Sequence, residues 1–150
     1  MSDDRASIRV THRFKASAER VFDAWLDPAK AARFLFATPT GRMVRAEIDA
    51  RVGGSFTFVD RRDGEDVAHT GTYLELDRPC RLVFTFAVPK YSAESTKVII
   101  EIVPDGTGCM LTLTHEGVWP DFADRTQAGW SMILDGVAKV VDASAPAAGA

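Results

Sequence analysis

The sequence predicts an α+β domain in which a curved antiparallel sheet of about seven strands wraps around one long C-terminal helix, with two short helices after the first strand. Three observations predict it. Residues 121–141 form one amphipathic stretch: at about 100° per residue, Trp130, Ile133, Leu134, Val137, Val140 and Val141 share an arc opposite Asp124, Gln127, Ser131, Asp135 and Lys139. After Gly41 the apolar period changes to two and stays so until this stretch begins. The segments between the alternating runs are short turns, which join neighbouring antiparallel strands. An apolar sheet face needs a cover, and the last helix is the only element large enough.

Each element has its own local warrant. Met1 to Ser7 reads as a flexible tail. In Ile8 to Lys15 the residues Ile8, Val10, His12 and Phe14 alternate with Arg9, Thr11, Arg13 and Lys15, as a half-buried strand requires. His12 on the apolar side reads as an interior histidine. Ser17 is an N-cap for a helix through Val21, Phe22 and Trp25. Asp27 and Pro28 start a second helix that runs to Phe34-Leu35-Phe36. Strands follow over Met43–Asp49, Ser55–Asp60, Val67–Leu76, Arg81–Phe86, Lys97–Val103 and Cys109–Glu116. Gly53-Gly54 marks a turn or bulge, and Asp63-Gly64 and Asp105-Gly106 mark hairpins. Pro120 stops the last strand and Asp121 caps the long helix. Gly129 and Gly136, each costing a helix about 1 kcal/mol against alanine, are expected to admit a strand at close range. Residues 143–150, small and of low complexity, are expected to be disordered. The single domain is therefore expected over residues 8–142.

The 150 residues suffice for one core without staples. A net charge of −3 without a basic patch argues against nucleic acid as a partner. No apolar run approaches the ~18 residues of a membrane span, and the acidic start is unlike a secretion signal, so a cytoplasmic location is expected. Cys80 and Cys109 lie outside any CxxC and are expected to be reduced thiols.

The order of elements and several phrases resemble the START-like (SRPBCC, Bet v 1) helix-grip superfamily, in particular its activator of Hsp90 ATPase homologue 1-like branch. The phrases are Ala18-Glu19-Arg20-Val21-Phe22-Asp23-Ala24-Trp25-Leu26-Asp27-Pro28, Gly53-Gly54-Ser55-Phe56, Arg78-Pro79-Cys80-Arg81-Leu82-Val83-Phe84-Thr85-Phe86, Leu111-Thr112-Leu113-Thr114-His115-Glu116-Gly117 and Gly129-Trp130. The resemblance implies a seven-stranded sheet gripping the helix, and a cavity between them that takes apolar ligands such as lipids in many relatives. It also implies roles such as stress response. The eukaryotic co-chaperone of that branch carries a further N-terminal domain with chaperone-contacting motifs. This chain opens at the first strand, so stimulation of Hsp90 is not expected.

No metal-spaced Cys/His cluster, catalytic motif or phosphate-cradling loop is present, so no catalytic residue, metal or cofactor is expected. The candidate ligand-binding residues are the apolar ones that alternation and the helix wheel aim at the interior. They are Trp25, Phe34, Phe56, Phe58, Leu82, Phe84, Phe86, Ile100, Leu113, Trp130, Ile133, Leu134 and Val137. His115 ends the apolar face of the last strand; it reads first as a structural hydrogen-bonding residue and second as the group that orients a ligand. Three functions stay open: non-enzymatic binding or carriage of a small hydrophobic molecule, a chaperone-associated or other protein-interaction module, and a cyclase- or hydrolase-like enzyme in the same cavity. A weak homodimer is compatible with each. An apolar cavity favours the first, a broad exposed apolar patch the second, and a deep polar cluster the third.

Overall fold

A computed structural model describes residues 6–31, 42–62, 64–88 and 95–149; for residues 42, 62, 122 and 142–149 it describes the backbone. Strands β1 (Ala6–Phe14), β2 (Arg42–Ile48), β3 (Ser55–Arg62), β4 (Glu65–Asp77), β5 (Arg81–Phe86), β6 (Thr96–Asp105) and β7 (Gly108–Val118) form one seven-stranded sheet. Its order is β1-β7-β6-β5-β4-β3-β2, and every pair is antiparallel. The predicted meander therefore runs unbroken from β2 to β7, and β1 closes against β7. Helices α1 (Ala18–Leu26) and α2 (Pro28–Ala31) follow β1, and α3 (Ala123–Gly149) closes the chain.

The local signals behave as chemistry requires. Ser17 Oγ accepts from the Arg20 amide at 3.2 Å, capping α1. Asp27 Oδ1 accepts from Ala29 and Lys30 at 3.0 and 3.3 Å, capping α2. The part of the second helix expected between Ala32 and Phe36, with candidate residue Phe34, lies outside the described residues. The start of the long helix differs from expectation. Pro120–Phe122 is a 3-10 turn, and α3 begins at Ala123 rather than at an Asp121 cap. At the other end the α3 backbone runs to Gly149.

The β2–β3 and β4–β5 pairs carry register shifts that mark bulges or irregularities. At Gly71 β4 lies so close to the Thr85 carbonyl and the Phe56 ring that a Cβ would overlap both. Along α3, Trp130, Leu134, Val137 and Val141 are buried, and the helix lies against β1 and touches α1. Opposite them sit Phe14, Phe56, Phe58, Leu82, Phe84, Ile100, Leu111 and Leu113, each at most 4% exposed. A buried side chain of this size contributes about 1.5–3 kcal/mol. Cys109 is buried and Cys80 exposed, and both are free thiols.

Candidate functional site

β5, β6, β7 and α3 converge on His115. Alternation along β7 turns Leu111, Leu113 and His115 inward, and His115 is 4% exposed. Trp130 on α3 donates its indole N–H to His115 Nδ1 over 3.0 Å. Indole can only donate, so Nδ1 accepts and the neutral ring carries its proton on Nε2. Nε2 lies 2.6 Å from Thr96 Oγ1 on β6. The Thr96 hydroxyl in turn donates to the Phe86 carbonyl at 3.2 Å. Burial lowers the His115 pKa to about 4, which keeps the ring neutral. Both ring nitrogens of His115 therefore have side-chain partners within the protein, from α3 and β6.

Aromatic rings surround this chain of hydrogen bonds. Phe86 meets His115 at 5.8 Å and Trp130 at 6.3 Å, and His115 meets Trp130 at 5.8 Å, all edge to face. This is the geometry that aromatic quadrupoles favour. Trp25 on α1 packs on the far side of Trp130 at 6.5 Å. Phe56, Tyr73 and Phe84 form a second cluster deeper in the sheet, with centroids 5.4–6.4 Å apart.

Between α3 and strands β5 and β7 lies an open recess of about 200 Å³, lined by Phe86, His115, Thr126, Gly129, Trp130 and Ile133. Of the candidates named from the sequence, it gathers Phe86, His115, Trp130 and Ile133. Trp25, Phe56, Phe58, Leu82, Phe84, Ile100, Leu113, Leu134 and Val137 are buried in the packed core instead. Thr126 and Gly129 were not among the candidates. Their signal was helical spacing, because 126, 129, 130 and 133 stand at i, i+3, i+4 and i+7 on one face. Gly129 corrects an expectation: a Cβ there would meet nothing within 4 Å. The glycine leaves bare backbone beside the recess and admits no strand.

Two further buried polar residues were not among the candidate site residues. Asp60 is fully buried and His69 is 5% exposed. Alternation marks both, since Asp60 follows Phe56 and Phe58 on one face of β3 and His69 shares a face of β4 with Val67 and Tyr73. His69 Nδ1 lies 3.3 Å from the Phe58 carbonyl, and its ring stacks on Phe86 at 6.1 Å. Neither residue lines the recess. His12 packs on Phe14, and its Nε2 lies 3.4 Å from Asp135 of α3. A second depression of about 390 Å³ has Ser55, Thr57, Thr70, Thr72 and Thr85 among its lining residues and is also bordered by the candidate Phe56. Among the described residues no group of His, Cys, Asp or Glu could hold a metal ion, and no helix is long and apolar enough to cross a membrane.

Solved structures share this fold. A structure from Chromobacterium violaceum is 28% identical, covers 90% of this chain and 96% of its own, and superposes with a TM-score of 0.82. An AHSA1-like protein from Aeromonas hydrophila is 24% identical, with 93% and 94% covered and a TM-score of 0.80. A Staphylococcus aureus protein described as of unknown function is 17% identical, with 95% and 98% covered and a TM-score of 0.81. No curated protein matches. The model of the family described as "Activator of Hsp90 ATPase homolog 1-like protein" matches residues 15–142. With that match spanning both short helices, all strands from β2 to β7 and most of α3, the chain belongs to this family.

Proposed function

We propose that this protein binds or carries a small hydrophobic molecule, without altering it, in the recess between α3 and strands β5 and β7. The observation that carries this reading is the recess itself, where three aromatic rings and Ile133 face open space beside the bare backbone of Gly129. A helix that only needed to cover a sheet would gain about 1 kcal/mol from alanine at this position. Family membership supports the reading, because apolar ligands are common in the wider superfamily. The enzyme alternative is less well supported, since neither buried Asp60 nor buried His69 faces the recess.

Two measurements test the proposal. Native mass spectrometry of freshly purified protein asks whether a small molecule co-purifies. Titration with lipids, quinones and flavonoids, followed by tryptophan fluorescence, asks whether binding engages Trp130. Gly129→Phe, which fills the recess, is expected to abolish binding while melting close to wild type. Failure of every compound to bind better than about millimolar, some 4 kcal/mol, sinks the proposal.

A further inference from the structure

The polar atoms around the recess are few, and most are already committed. His115 uses Nδ1 on Trp130 and Nε2 on Thr96, and Trp130 uses its N–H on His115. Phe86 and Ile133 bring no polar side-chain atom. Of the six lining residues, only Thr126 offers a side-chain donor and acceptor to an occupant. It sits one turn before Trp130 and is half-buried at the rim. No lysine, arginine, aspartate or glutamate lines the recess.

We infer that the recess selects uncharged, flat ring ligands bearing one hydroxyl or carbonyl group, and that Thr126 is the residue that reads that group. The inference rests on the binding reading above and narrows it to a ligand class. Size sets the ring count. An apolar cavity of about 150 Å³ holds benzene, so about 200 Å³ suits one ring or two fused rings. Charge sets the selection. A carboxylate entering here sheds water and meets ring edges and a hydroxyl but no cation, and an unpaired charge in such surroundings is strongly disfavoured. A neutral hydroxyl keeps its hydrogen bond through Thr126.

The test compares 2-naphthol with 2-naphthoate at neutral pH on the full chain, by NMR of the Trp130 indole N–H during titration. 2-Naphthol is expected to bind at least about tenfold more tightly, the direction set by the cost of an unpaired charge. Thr126→Val should weaken 2-naphthol about three- to tenfold, the range of one neutral hydrogen bond, and Thr126→Ser should restore it. Wild-type melting temperature in both variants confirms that the fold is kept. Equal binding of the two probes, or tighter binding of 2-naphthoate, overturns the selection and leaves the recess as a binding site. Indifference of 2-naphthol to Thr126→Val removes Thr126 from recognition. If neither probe shifts the Trp130 signal, the binding reading falls and this inference with it.

Discussion

Acid should destabilise this protein through His115 well above the pH at which Asp23, Glu47 and Asp66 take up protons. The folded ring has a pKa lowered to about 4 by burial, against 6.5 for the free side chain. A group with a depressed folded pKa stabilises the fold fully above the unfolded value, and that stability is lost as pH falls from 6.5 toward 4. Between those values the unfolded chain binds a proton that the folded chain refuses. From pH 8 to pH 5 the loss is about 2 kcal/mol, approaching about 3 kcal/mol below pH 4. At pH 5 the exposed carboxylates of Asp23, Glu47 and Asp66 stay ionised, because hydrogen bonds from Arg78, Arg45 and Arg61 hold them below their usual range. The assay is urea denaturation of wild type and His115→Asn at both pH values, followed by far-UV circular dichroism. Asparagine can still accept from Trp130 but does not titrate. The advantage of wild type over the variant should shrink by about 2 kcal/mol between pH 8 and pH 5. An advantage that stays constant to within about 0.5 kcal/mol would show that His115 does not carry the linkage.

Three further outcomes are expected. Gly129→Ala should raise stability by about 0.5–1 kcal/mol, because the new methyl enters open space; a lower melting temperature would contradict the open setting. Trp130→Phe keeps the ring but strands His115 Nδ1, and should cost about 1–3 kcal/mol in urea titrations at pH 8, whereas an unchanged midpoint would mean the bond contributes nothing. Trp25→Ala should cost about 3–5 kcal/mol, since the ring is 2% exposed and packs on Trp130; a loss under about 1 kcal/mol would place the ring against a void.

The fold was legible because its signals are local and periodic. The alternation of Phe56 and Phe58, and of Leu111, Leu113 and His115, assigns the covered face of β3 and β7 without any long-range information. The Ser17 and Asp27 caps are equally local. The site was legible only in part, because periodicity says which residues point inward and not how tightly the interior closes. Phe84 and Phe86 share a face of β5, yet Phe84 is buried in the core and Phe86 lines the recess. What separates them is their position along β5, with Phe86 at its end. The partner of His115 was hidden for a similar reason. Thr96 reaches it through the pairing of Val98 with His115, a register that only the assembled sheet defines. Gly129 misled because a bare helix backbone suits a close neighbour and an empty space equally well.

The hydrogen-bond chain through His115 has a fixed polarity, and that polarity limits what the recess can do to an occupant. One end is an indole N–H, which has no lone pair with which to accept a proton in return. The other is the Phe86 carbonyl, which has no proton to give. A catalytic-triad imidazole takes up and releases a proton at one nitrogen while the other keeps donating to its carboxylate partner. Here Nδ1 accepts from an indole instead. Whatever enters beside His115 meets a ring whose two nitrogens already face Trp130 and Thr96.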